Sequence, residues 1–135
     1  MMELGLREEL AEFMAARDEE LIAFRRDLHA HPETGYREYR TTARVLRRLE
    51  LAGLRPVTLP KGTGLVVDVG DPSVDGPVLA LRADLDALPM SDEKTVPYRS
   101  TVPNACHACG HDVHTTVLLG TGLFLAARAA AVGLP

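Results

Sequence analysis

The hydrophobic pattern of this chain changes period near Gly53, and that change limits the folds open to it. Before it, Leu10, Phe13, Met14, Leu21, Phe24 and Leu28 recur at spacings of three, four and seven, the pattern of one helical face. Glu8, Glu9, Asp18, Glu19, Glu20, Arg25 and Arg26 fall between them as the wet face. This predicts an amphipathic helix over about residues 5–30, stopped by Pro32. A second helix is predicted from Tyr36 to about Leu54, with Val45, Leu46, Leu49 and Ala52 inward and Arg44, Arg47 and Arg48 outward. Gly53 is placed as its stop. Between the two helices, His29 and His31 are two apart, which does not set them on one helical face. A hydrogen-bonded cluster at a helix end is the reading of that connection.

Beyond Gly53 the runs are short and β-branched. Val57-Thr58-Leu59, Leu65-Val66-Val67-Asp68-Val69 and Pro77-Val78-Leu79-Ala80-Leu81-Arg82 read as three strands separated by turns at 61–64 and 71–76. The third is nearly all apolar, as a strand buried on both faces would be. Lys61-Gly62-Thr63-Gly64 lacks the spacing of a phosphate loop and reads as a hairpin turn. Residues 90–104 read as an exposed loop or short hairpin, and an apolar helix from about Val113 to Ala131 closes the pattern. Two helices, three strands and a final helix predict an α/β sandwich.

At 135 residues the chain amounts to about one domain, with enough length for a core. Aromatic residues are 4% of it, Trp is absent and the net charge is −4, which speaks against a nucleic-acid surface. Acids and bases scattered through residues 1–25 speak against a signal peptide or a membrane span there. Two cysteines three positions apart do not make a disulfide framework. A cytoplasmic, reducing setting without membrane or nucleic-acid partners is expected.

The chemistry is concentrated in Ala105-Cys106-His107-Ala108-Cys109-Gly110-His111-Asp112-Val113-His114-Thr115, which holds both cysteines and three of the five histidines. Thiolate and imidazole are the usual ligands of zinc and related ions. A haem-attachment motif would need His at position 110, which is Gly, and a zinc finger would need a longer separation of its ligand pairs. A redox Cys106-x-x-Cys109 pair gives His111 and Asp112 nothing to do. A catalytic metal site uses more of these residues. Cys109 and His111 can turn toward one ion or two adjacent ions, with Gly110 permitting the tight path between them. Asp112 or His114 could hold a ligand's tautomer, and Asp112 could equally cap the final helix. Asp84 and Asp86 stand at the end of the third strand, where ligand-binding groups of open α/β sheets gather. One of them could enter a site while the other is solvated or caps a turn.

Three blocks then resemble successive signatures of one family: Leu28-His29-Ala30-His31-Pro32-Glu33-Thr34-Gly35, Ala80-Leu81-Arg82-Ala83-Asp84-Leu85-Asp86-Ala87-Leu88-Pro89, and His107 to Thr115. The family is the amidohydrolase branch of the M20 metallopeptidases, which includes hippurate, N-acyl-amino-acid and auxin-conjugate hydrolases. The resemblance implies a two-metal hydrolase of N-acyl amino acids or similar small conjugates, with Cys109 and His111 as metal ligands. Asp86 is carried over as the carboxylate supporting a metal-binding histidine, and Asp84, Asp112 and His114 as further groups beside the site. The two divalent ions would be zinc, manganese, nickel or cobalt. Cys106 departs from the family, where an aliphatic residue or Met is usual.

The resemblance places the catalytic glutamate, a glutamate ligand and two histidine ligands downstream of the blocks present. Residues 1–135 would then be the N-terminal part of a zinc-peptidase-like catalytic domain, an incomplete α/β sandwich of roughly a third of a typical member. A lid and dimerisation domain, and with it a homodimer of the full-length protein, would lie outside it. The isolated chain is expected to be inactive. The competing expectation is a small module without hydrolase activity, either structural zinc held by Cys106, Cys109, His111 and His114, or a redox Cys pair.

Overall fold

The computed structural model of the chain describes residues 2–71 and 73–132. Four helices and one small hairpin follow in order: α1 (Met2–Ala15), α2 (Asp18–Ala30), α3 (Tyr39–Leu51), β1 (Val57–Thr58), β2 (Leu65–Val66) and α4 (His111–Val132). The single helix expected over 5–30 is thus two. Arg17 stands between them, with its amide bonded to the Met14 carbonyl at 2.9 Å in a tighter turn. Asp18, Glu19 and Glu20 then open α2, where negative charge suits the positive end of a helix dipole.

The core lies where α2 and α3 meet α4. Phe24 and Leu28 from α2, Val45 and Leu49 from α3, and Leu119 and Leu123 from α4 form one buried cluster. Burying a Leu or Phe side chain contributes about 1.5–3 kcal/mol, so six of them supply the main drive for assembly. Phe13 of α1 adds an edge-to-face contact with Phe124, with ring centroids 5.4 Å apart. α4 is long and apolar enough to cross a membrane by length and composition. One face of it packs on α2 and α3 through Leu119 and Leu123, while Val113 and Val117 are exposed.

α3 spans less than the 36–54 expected. The segment before it is held by Glu33, whose carboxylate accepts the Arg40 amide at 2.9 Å, the Thr41 amide at 2.6 Å and the Thr41 hydroxyl at 2.7 Å. These bonds satisfy amides that the first turn of a helix leaves free. Gly53 follows α3 with φ +81°, the left-handed conformation that ends a helix cheaply only at glycine.

β1 and β2 pair antiparallel, Val57 opposite Val66 and Thr58 opposite Leu65. The third expected strand is a correction. Residues 77–82 form no strand, and Val78 and Leu79 are 89% and 83% exposed. The physical reason is that a strand exists only as a pairing, and among the described residues no second backbone runs alongside this one to form a ladder. The run 65–69 is cut to Leu65–Val66 for the same reason. The turn expected at 71–76 includes position 72, which lies outside the described residues. Residues 90–104 form an irregular loop and not a hairpin. Its Thr101 amide and hydroxyl donate to the Ala30 carbonyl at 2.8 and 2.7 Å, closing the end of α2.

Candidate metal centre

Two short backbone crossings gather the three sequence blocks. The Ala87 amide donates to the Glu33 carbonyl at 2.8 Å, and Leu88 exchanges two 3.0 Å bonds with Cys106. The end of the 77–88 segment therefore lies between the loop after α2 and the approach to α4. Asp84, Asp86, Cys109 and His111 are carried on these paths.

Gly110 has φ +79°, and its carbonyl accepts the amides of Val113 and His114 at 3.0 and 3.1 Å. It is the residue on which α4 starts, so the helix begins two residues before the expected Val113. Asp112 is correspondingly not the N-cap. It sits inside the first turn, fully buried, with its carboxylate turned toward α2. There Oδ2 lies 2.6 Å from His29 Nδ1 and 2.8 Å from Arg25 Nε. The Arg25 contact lacks hydrogen-bond alignment and is an ion pair. Arg25 also approaches His29 Nδ1 at 3.3 Å. One ring nitrogen cannot both donate to Asp112 and accept from Arg25, so the shorter contact assigns its proton toward the carboxylate.

The acids at 84 and 86 part company. Asp84 pairs with Arg82 at the surface and offers its carbonyl to the Thr115 hydroxyl at 3.0 Å. Asp86 instead faces His111, whose Nδ1 lies 2.9 Å from both the Asp86 carbonyl and its Oδ1. A histidine whose Nδ1–H is taken by a carboxylate presents Nε2 as a lone pair, the usual second support of a metal-binding imidazole. Gly35 stands close behind, since a side chain there would start 3.8 Å from Asp86 Oδ2. His114 is exposed, with its ring 5.9 Å from that of His111. It lines an open groove of about 420 Å³ together with Leu81, Arg82, Asp84, Val117 and Leu118.

The two cysteines occupy unlike surroundings. Both are free; Cys109 is exposed and Cys106 buried. Lys94 Nζ lies 3.6 Å from the Cys106 sulfur and 2.7 Å from Asp92 Oδ1. The hydrogen bond from Lys94, with backbone amides of Ser100 and Lys94, holds the Asp92 carboxyl far below the usual carboxylate range. Burial pushes the His107 imidazole toward its neutral form, and neither of its ring nitrogens has a hydrogen-bond partner. His29, Asp92 and Lys94 were not singled out as site residues from the sequence. Asp92 and Lys94 carry no motif, whereas His29 belongs to the first of the three blocks.

Among the described residues, no three Cys, His, Asp or Glu side chains converge as a metal cage. The donors present nonetheless fit a divalent ion: an accessible thiol, and an imidazole oriented by a carboxylate with its second nitrogen free.

Residues 80–134 match the profile of peptidase family M20/M25/M40. A Rhodococcus jostii protein named putative glutamate–cysteine ligase 2-3 is 51% identical over 108 residues, which cover 80% of this chain and 13% of that protein. The N-acetylcysteine deacetylase of Bacillus subtilis is 42% identical over 111 residues, covering 82% of this chain and 29% of the deacetylase. A solved Bacillus subtilis protein, described as a dinuclear metal binding peptidase from the M20 family, superposes with a TM-score of 0.79 at 42% identity, covering 86% of this chain and 33% of that one. The chain thus spans about a third or less of the length of each of these proteins. Profile, relatives and superposition agree with the three blocks: the chain is similar to M20 family peptidases over residues 80–134 by profile and over 86% of its length by superposition.

Proposed function

We propose that residues 1–135 form the first part of the catalytic domain of a metal-dependent amidohydrolase that cleaves N-acyl amino acids or similar small conjugates. The observation that carries this reading is the Asp86–His111 contact at 2.9 Å, two residues beyond the exposed thiol of Cys109. Cys109 and His111 are the metal ligands in this reading, Asp86 orients His111, Asp112 anchors the turn, and Asp84 and His114 border the groove. The dinuclear site named for the solved relative supports two divalent ions, with zinc, manganese, nickel or cobalt compatible with the donors. Such ions supply the Lewis acidity that amide hydrolysis needs. The protein's own part is to fix donor geometry and to hold His111 in the tautomer that leaves Nε2 unprotonated. A cytoplasmic setting goes with two free cysteines.

Two ligands and no general base make an incomplete catalytic set, so residues 1–135 alone are expected to show no turnover of N-acetyl amino acids. The deciding experiment is metal binding by the chain beside Cys106→Ala and Cys109→Ala. Weak binding that depends on Cys109 and not on Cys106 is expected. One tightly held zinc per chain, lost equally in both variants, would sink the reading and leave a structural zinc module in its place.

A further inference from the structure

His29 is a buried polar group that the hydrolase reading leaves without a task. It is 2% exposed, and its partner Asp112 is 83 positions away in sequence. Burying a carboxylate costs solvation that its polar partners rarely repay in full, so stability alone is a poor reason to keep one in this core. What the pair does accomplish is geometric. Asp112 is the residue after His111, and its carboxylate is clamped to α2 by His29 Nδ1 at 2.6 Å and Arg25 at 2.8 Å. His111 is held from the other side by Asp86. Two carboxylate–imidazole pairs thus grip adjacent residues of one turn, Asp86 on the ring of His111 and His29 on the side chain next to it. His29 is itself fixed. The Tyr98 ring meets it edge-on at 5.7 Å, and Asp92 Oδ2 lies 3.6 Å from its Nε2.

We propose that His29 is a positioning residue of the metal centre: through Asp112 it fixes the rotation of the first turn of α4, and with it the direction in which His111 presents Nε2. This rests on the assignment of Cys109 and His111 as metal ligands. Supporting groups of this kind change metal affinity by about ten- to a hundredfold when removed.

The test is cobalt(II) binding to the 135-residue chain, followed by the thiolate-to-cobalt absorption that Cys109 would give, with helix content from circular dichroism. His29→Leu should keep the helices, bind cobalt about tenfold or more weakly and shift the absorption. His29→Asn places its amide donor near the position of Nδ1 and should restore both. His29→Gln places its donor near Nε2 and should not. If His29→Leu fails to fold, the contrast between Asn and Gln decides, because a merely structural role would not separate two polar replacements by cobalt affinity at equal helix content. A Cys109-dependent band that is the same in wild type, Leu and Gln variants overturns this inference alone. A wild-type band that survives Cys109→Ala, or no band at all, overturns the ligand assignment and this inference with it.

Discussion

The five histidines show how little a residue's name says about its task. His29 and His107 are buried, His114 is exposed, and His31 is partly exposed with Nδ1 2.8 Å from the Asp27 carbonyl. Spacing alone separates none of these environments: His31 bonds within its own helix, whereas His29 and His111 are set by carboxylates far away in sequence. Spacing did not separate Asp84 from Asp86, since residues two positions apart in a strand share one face; residues 77–82 form no strand, and only Asp86 meets His111. Asp86→Asn should weaken cobalt binding about tenfold or more, read by titration of the Cys109 band. Unchanged affinity would remove Asp86 from the site. Asp92 was invisible in the sequence, since the bonds that matter come from Lys94 and Ser100 in an irregular loop. Its folded pKa lies below the unfolded value of 3.8. Its contribution to stability is therefore complete above that value and is lost as pH falls through the folded one. Lys94→Met removes the largest cause of the depression and should move acid unfolding to higher pH. A circular-dichroism titration that does not shift would count against this account.

At the scale of elements, the helices and the β1–β2 hairpin were legible, and the third strand was not. A helix satisfies its own backbone, so the 3.6-residue pattern of 39–51 and the apolar run of 111–132 suffice to locate α3 and α4 within a few residues. The break at Arg17 escaped because both halves keep apolar residues at compatible spacings. The run 77–82 was misread for the opposite reason: its composition is that of a buried strand, but a strand needs partners that no local pattern supplies. Gly53 was readable from chemistry alone, and its φ of +81° makes it a sharp test. Gly53→Ala should cost about 1–2 kcal/mol, measured by urea unfolding, where Ala52→Gly should cost less. Leu28, fully buried in the α2–α3–α4 cluster, should lose about 2–5 kcal/mol on truncation to Ala. A loss below 1 kcal/mol would mean that the core lies elsewhere.

For the molecule as a whole, the helical side is packed and the sheet side is open. Val57, Val66, Val78, Leu79, Leu81 and Val117 are all exposed, and exposed apolar surface favours association where it is contiguous. Unpaired, flat, apolar backbone is also a template for pairing with other chains. Val78→Lys combined with Leu79→Lys should reduce self-association, read by light scattering at rising concentration. Equal scattering from both forms would place the sticky surface elsewhere. The family resemblance was legible because its blocks are local in sequence. The linkages among them were not, because Ala87–Glu33 and Asp112–His29 appear only once the chain has folded.

The unladdered stretch 73–86 has a consequence for proteases. Exposed segments of this kind are where proteolytic nicking concentrates. Cleavage near Val78 would yield one piece with α1, α2, α3 and the hairpin, and another with α4 and the Cys109 turn. The core cluster and the Asp112–His29 clamp both cross that cut. The severed chain should therefore stay a single particle, migrating as two bands only when denatured.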